Sequence, residues 1–90
     1  MEFELNDQKS ESNKSKHGID FREAALLWMD ADLLEIEART EDEPRFMAVG
    51  KLSGLYWSAI YTKRNDRIRL ISVRRSRKKE IHLYEGFRTR

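Results

Sequence analysis

Ninety residues without a cysteine, 39% hydrophobic and 38% charged, hold one core and exclude a second domain, a disulfide framework, a zinc ribbon and thiol catalysis. Nine aromatics (Phe 4, Trp 2, Tyr 3) argue against a wholly disordered chain, and no apolar run nears the ~18 to 20 residues of a membrane span, so one cytoplasmic domain over residues 1–90 is expected, with no membrane partner. The net charge of +2 divides into −7 over residues 1–45 (6 Lys/Arg, 13 Asp/Glu) and +9 over residues 46–90 (12 against 3), which points the C-terminal half at a polyanion.

Phe3 to Leu5 is a short extended lead-in, and Asn6 or Asp7 is a natural N-cap for a first helix running to His17. From Lys9 to His17 this helix has no apolar residue, so it should be exposed unless a partner orders it. Gly18 supplies the left-handed position that ends it. Asp20 and Glu23 form a capping box for a second helix, whose Phe21, Ala24, Ala25 and Trp28 recur at core spacing. From Leu33 the period becomes two: Leu34, Ile36 and Ala38 alternate with Glu35, Glu37 and Arg39, a strand with one wet face. An acidic turn over Thr40–Pro44 leads to a strand over Phe46–Leu52. Ser53-Gly54 reverses the chain into a strand over Leu55–Thr62, and Arg64-Asn65-Asp66 turns it into the last strand, Ile68–Val73. There Ile68, Leu70 and Ser72 should share one face and Arg67, Arg69, Ile71 and Val73 the other. A final helix starts near Ser76 or Arg77 and ends at Gly86, with Phe87–Arg90 a loose tail. The expected class is α+β: two N-terminal helices, a four-stranded antiparallel sheet and a C-terminal helix.

Lys63 to Lys79 holds nine cations (Lys63, Arg64, Arg67, Arg69, Arg74, Arg75, Arg77, Lys78, Lys79) and one acid, Asp66. It is a footprint for polyphosphate, or else a solvated surface countered by the acidic half of the same fold. No metal site is expected: cysteine is absent, and there is neither an HExxH nor an acidic cluster with ligand spacing. No Ser lies in a G-x-S-x-G elbow, so no Ser-His-Asp arrangement is expected, and the four glycines are isolated and form no phosphate-cradling loop, so no cofactor is expected. What remains is guanidinium chemistry at a phosphate. Arg67 and Arg69, two residues apart on a strand, can grip one phosphate jointly, and Arg74 and Arg75 precede a helix N-terminus that adds to the attraction. RNA carries its own nucleophile, the 2′-hydroxyl, and His17 is the one near-neutral base outside the last helix. Lys16-His17-Gly18 also reads as a plain helix C-terminus, Arg67 and Arg69 as solubilising residues, His82 as an exposed helix residue, Tyr84 as a packing residue, and Trp28 and Trp57 as core.

The string Phe3-Glu4, Asn13-x-x-Lys16-His17-Gly18-Ile19-x-Phe21-x-x-Ala24, Arg45-Phe46 with Gly50, Tyr61-Thr62, Arg64, Arg67-Ile68-Arg69-Leu70-Ile71-Ser72-Val73-Arg74-Arg75, and Glu80 with Tyr84-Glu85 resembles the BrnT family of type II toxin–antitoxin systems. The resemblance implies a bacterial ribonuclease toxin of RelE-like fold that degrades RNA and inhibits translation, made with a BrnA-type ribbon-helix-helix antitoxin; with the 2′-hydroxyl as nucleophile and arginines at the phosphate, the cleavage is expected to be metal-independent. Two toxins and two antitoxins would associate, with promoter DNA bound only through the antitoxin. A non-catalytic RNA- or DNA-binding module is the alternative. The expected catalytic set is Lys16, His17, Arg64, Arg67, Arg69, Arg74 and Arg75 around the scissile phosphate, with Lys63, Arg77, Lys78 and Lys79 binding flanking RNA. Two positions depart from the family: Leu5-Asn6-Asp7 replaces an aromatic-Asp-Pro start, and Arg77 replaces the Thr of a Thr-x-x-Glu helix start, which should cost the last helix its capping box.

Overall fold

In the computed structural model, which describes residues 2–38 and 43–88, the chain forms β1 (Glu2–Glu4), α1 (Asp7–His17), α2 (Phe21–Ala25), β2 (Leu34–Ala38), β3 (Arg45–Leu52), β4 (Leu55–Arg64), β5 (Arg67–Arg75) and α3 (Lys78–Arg88). Two-residue reversals lay down the middle of the sheet. Ser53 and Gly54 at φ 51° and 79°, and Asn65 and Asp66 at 48° and 66°, place both central residues of each turn in the left-handed region whose twist suits antiparallel neighbours. The strand order is β1-β5-β4-β3-β2, antiparallel except that β1 runs parallel to β5, with Glu2 opposite Arg67 and Glu4 opposite Arg69. The sheet is therefore five-stranded and mixed, not four-stranded and antiparallel. The lead-in is too short to show an alternating pattern, and it becomes a strand because Phe3 packs edge-on against Trp28, ring centroids 5.2 Å apart.

Two helical expectations change in the same way. The second helix leaves α geometry after Ala25 and tightens into a 3₁₀ turn over Leu26–Met29. Its buried residues are Phe21, Ala24 and Leu27, a spacing of three that a 3₁₀ turn keeps on one face. α3 passes through Gly86 to Arg88, since Gly86 does not take a left-handed φ, so Phe87 belongs to the helix and not to a tail. Residues 89–90, and Arg39 to Asp42 of the expected strand end and acidic turn, lie outside the described residues.

A bulge in β5 decides which side chains face the core. Tyr61 lies opposite Leu70 and Ile60 opposite Ser72, which leaves Ile71 without a partner in the β4–β5 register. Ile68, Leu70 and Val73 consequently share the face covered by α1 and α2, where they join Ile19, Phe21, Ala24, Leu27, Ala48, Trp57, Ala59 and Tyr61. Ser72 and Arg74 shift to the face of Arg67 and Arg69, and there Arg74 meets Glu80 of α3. This reverses the expected placement of Ser72 and Val73. Along β2 the alternation holds: Glu35 and Glu37 are exposed while Leu34, Ile36 and Ala38 are half-buried.

The polar first helix is held without an apolar face. Asn6 caps it by accepting from Lys9 N–H, and Gly18 ends it at φ 80°. Between those caps only Ser10 and Asn13, three residues apart on one face, are buried. The Ser10 hydroxyl accepts from Phe21 N–H at 2.8 Å. The Asn13 carboxamide accepts from Val73 N–H at 3.0 Å and donates to Val73 O and Ile19 O, both at 2.8 Å. β1 covers β5 only from Arg67 to Arg69, so at Val73 this side chain supplies the pair of bonds that a neighbouring strand would make.

Candidate nucleic-acid interface

A strand rises about 3.3 Å per residue, so cations that cluster in the sequence of β5 are spread along it, and Arg67 and Arg75 lie roughly 25 Å apart. One phosphate cannot touch both, and the expected gathering of all five arginines about a single scissile phosphate does not occur. The cations form two groups. At the β4–β5 turn, Arg64 stands directly opposite Arg67, and Arg69 follows on the same face. Each has a long, half-exposed ion pair: Arg64 with Glu43 at 3.7 Å, Arg67 with Glu2 at 3.5 Å and Arg69 with Glu4 at 3.7 Å. Lys63 lies over the Phe46 ring, 4.9 Å from its centroid. These are weak, screened contacts.

The second group stands where β5 meets α3. Arg74 is not free there. Its Nη1 and Nη2 donate to the two oxygens of Glu80 at 2.8 and 2.7 Å, a bidentate pair, and the Ser58 hydroxyl and Arg77 N–H donate to the same carboxylate at 2.8 and 2.9 Å. The Arg74 guanidinium, followed by the backbone and hydroxyl donors, outweighs burial and holds the Glu80 carboxyl at about 2. The bond to Arg77 N–H is also half of the capping box expected to be lost: Glu80 caps α3 although no Thr answers it. Arg75 lies over the Trp57 ring at 5.5 Å with its head exposed, and Arg77, Lys78 and Lys79 are exposed around the start of α3 without an ion pair among the described residues.

On α1, Lys14 is tied to Glu23 at 2.8 Å, whereas Lys16 and His17 are exposed in the last turn and have no ion pair among the described residues. The other titratable candidates take structural places. His82 is exposed on α3, and Tyr84 is buried, edge-on to Tyr56, donating to Asp30 at 2.7 Å instead of reaching an arginine. Burial, then the bond to Asp30, pushes the Tyr84 hydroxyl above its ordinary range. Trp57 is core, and Trp28 is packed against the core with its indole N–H buried and unpartnered among the described residues. Among the described residues no group of three acidic, His or Cys side chains could hold a metal, and no helix is long and apolar enough to cross a membrane.

A family model for the BrnT ribonuclease toxin of type II toxin–antitoxin systems matches residues 6–80. The chain belongs to the BrnT family. No curated protein matches it. The BrnT match opens on Asn6, the cap of α1, and closes on Glu80, so it contains both cation groups, the Asn13 contact with β5 and the residue that neutralises Arg74. BrnT toxins are ribonuclease toxins, which makes RNA the polyanion to set against these cations and an antitoxin the partner to expect. Asn13 ties α1 to β5, and Glu80, with Ser58 donating to it, ties β4 and β5 to the start of α3. Of the three, only Glu80 carried a local signal, three residues after Arg77, where a capping acid belongs.

Proposed function

We propose that this BrnT chain is an endoribonuclease that cleaves RNA without a metal, at the corner where the end of α1, the end of β5 and the start of α3 meet. The observation that carries this reading is the bond of Asn13 to Val73. Glu4 lies level with Arg69 and Asn13 with Val73, so α1 advances along β5 in the strand's own direction. Four further residues of helix would climb about 6 Å, close to two residues of strand, which supports a position for Lys16 and His17 level with Arg75.

In this arrangement His17 accepts the proton of the 2′-hydroxyl. The 2′-oxygen attacks phosphorus, the bond to the 5′-oxygen breaks, and that oxygen takes a proton from water, giving a 2′,3′-cyclic phosphate and a 5′-hydroxyl. Arg75 and Lys16 neutralise the non-bridging oxygens as charge grows on them. Arg77, Lys78 and Lys79 hold flanking phosphates on one side. Arg64, Arg67, Arg69 and Lys63, too distant for the same phosphate, hold RNA further along. Arg74 serves the site through Glu80, by joining β5 to α3.

The antitoxin we expect is of the BrnA type, two copies with two toxins, covering the cationic corner or adding a strand at the outer edge of β2, whose other side is paired to β3. Promoter DNA would be contacted by the antitoxin. The test is incubation of the protein with RNA in EDTA, with and without translating ribosomes. Cleavage in EDTA is the expected result. RNA left intact in both settings, with binding retained, would make the chain a non-catalytic RNA-binding module.

A further inference from the structure

The three hydrogen bonds of Asn13 join segments far apart in sequence: the middle of α1, the first residue after its terminating glycine, and a strand sixty residues away. The side chain is buried, and both ends of its amide are used with the correct polarity: oxygen toward an N–H, nitrogen toward two carbonyls. No apolar contact could substitute, because α1 has no apolar residue. Ser10, the other buried anchor, ties α1 to α2 and not to the sheet. Of these two anchors, therefore, Asn13 alone sets the position of α1 along β5, and it lies one helical turn from Lys16 and His17.

We infer that Asn13 is a positioning residue for the cationic corner: by occupying the open edge of β5 at Val73, its carboxamide fixes where Lys16 and His17 stand relative to Arg75. The inference rests on the ribonuclease reading above and deepens it. A carboxylate at this position has the same shape and can still accept from Val73 N–H, but it cannot donate to Ile19 O or Val73 O and repels both. Asn13→Asp should therefore fold with α1 displaced. An approximate near-attack geometry is sensitive to shifts of about 1 Å, so the loss is expected in turnover and not in substrate binding, which the exposed cations supply.

The experiment compares the parent with Asn13→Asp, Asn13→Ala and Ser10→Ala, each shown to be folded by circular dichroism, using an oligoribonucleotide substrate and amide hydrogen exchange. Both Asn13 variants should lose about 30-fold or more in kcat with KM within about twofold, while Ser10→Ala, which loosens α1 without touching β5, keeps kcat within about threefold. Exchange at Val73 and through the last turn of α1 should accelerate in the Asn13 variants alone. A folded Asn13→Ala protein with parental kcat overturns the inference, as does a loss of kcat in Ser10→Ala equal to that in Asn13→Ala. If the parent cleaves no RNA, the ribonuclease reading fails by itself. In that case exchange still decides the anchoring: protection at Val73 that is unchanged in Asn13→Ala would overturn it.

Discussion

Glu80→Ala isolates the junction between β5 and α3. The substitution removes an acceptor of four hydrogen bonds and leaves a guanidinium whose side chain is only 24% exposed without its partner. Deleting one member of a buried ion pair costs ~3–5 kcal/mol, and because Arg74 keeps some contact with water we expect the lower end, ~3 kcal/mol. The carboxyl itself leads to a similar figure: lowering it from 4.5 to about 2 corresponds to ~3 kcal/mol at neutral pH. A carboxyl lowered by folding contributes fully above its unfolded value and loses that contribution as pH falls toward its folded value. The parent should therefore lose this stability between about pH 4.5 and about pH 2, whereas Glu80→Ala lacks it throughout. Urea unfolding at neutral pH and at several acidic values measures both. With a slope of ~1 kcal/mol per molar urea for a small domain, the midpoint should fall by ~2–3 M at neutral pH and the two proteins should converge in acid. A neutral-pH loss under ~1 kcal/mol, or a gap between the proteins that stays constant into acid, would refute the account of Glu80 as the charged centre of this corner.

His17→Ala and Arg75→Ala should each fold as the parent does and lower the RNA cleavage rate about 100-fold, measured in single-turnover assays; undiminished cleavage by both would move the site elsewhere. Arg67→Ala and Arg69→Ala should act on binding instead. Each should weaken affinity for long RNA and reduce the salt slope by about 0.7, the value for one single-stranded phosphate, with kcat nearly unchanged; a collapse of kcat would place the reacting phosphate at the β4–β5 turn.

The parts of this fold written in local chemistry could be read from the chain. Asn6 and Gly18 act within a turn of themselves, and α1 begins and ends where they require. Asp20 with Glu23 likewise forms the capping box that starts α2. Contacts made at a distance could not be read. Nothing near Ile71 marks it as the bulged residue, yet it decides that Arg74 meets Glu80 and that Arg75 lies over Trp57. Phe3 becomes part of a strand only because Ile68 and Trp28 wait for it. Asn13 heads the family-like string before Lys16 and His17, but on a helix with no apolar residue nothing local gives it a structural task until Val73 is brought to it. The cationic block was visible as charge, but its division into two groups follows from the length of an extended strand, which separates residues that a helix would have stacked.

In the proposed reaction the RNA's own 2′-hydroxyl is the nucleophile, at a site built by this chain. This is tested most directly with a cleaved oligoribonucleotide in which one 2′-deoxy nucleotide is placed immediately 5′ to the scissile phosphate, assayed in EDTA beside the unmodified strand. Cleavage at that phosphate should cease, while the unmodified strand yields a 2′,3′-cyclic phosphate that opens to a 3′-phosphate. Continued cleavage at the deoxy position would show that the nucleophile comes from elsewhere and would contradict the assignment of His17 as the base that activates it.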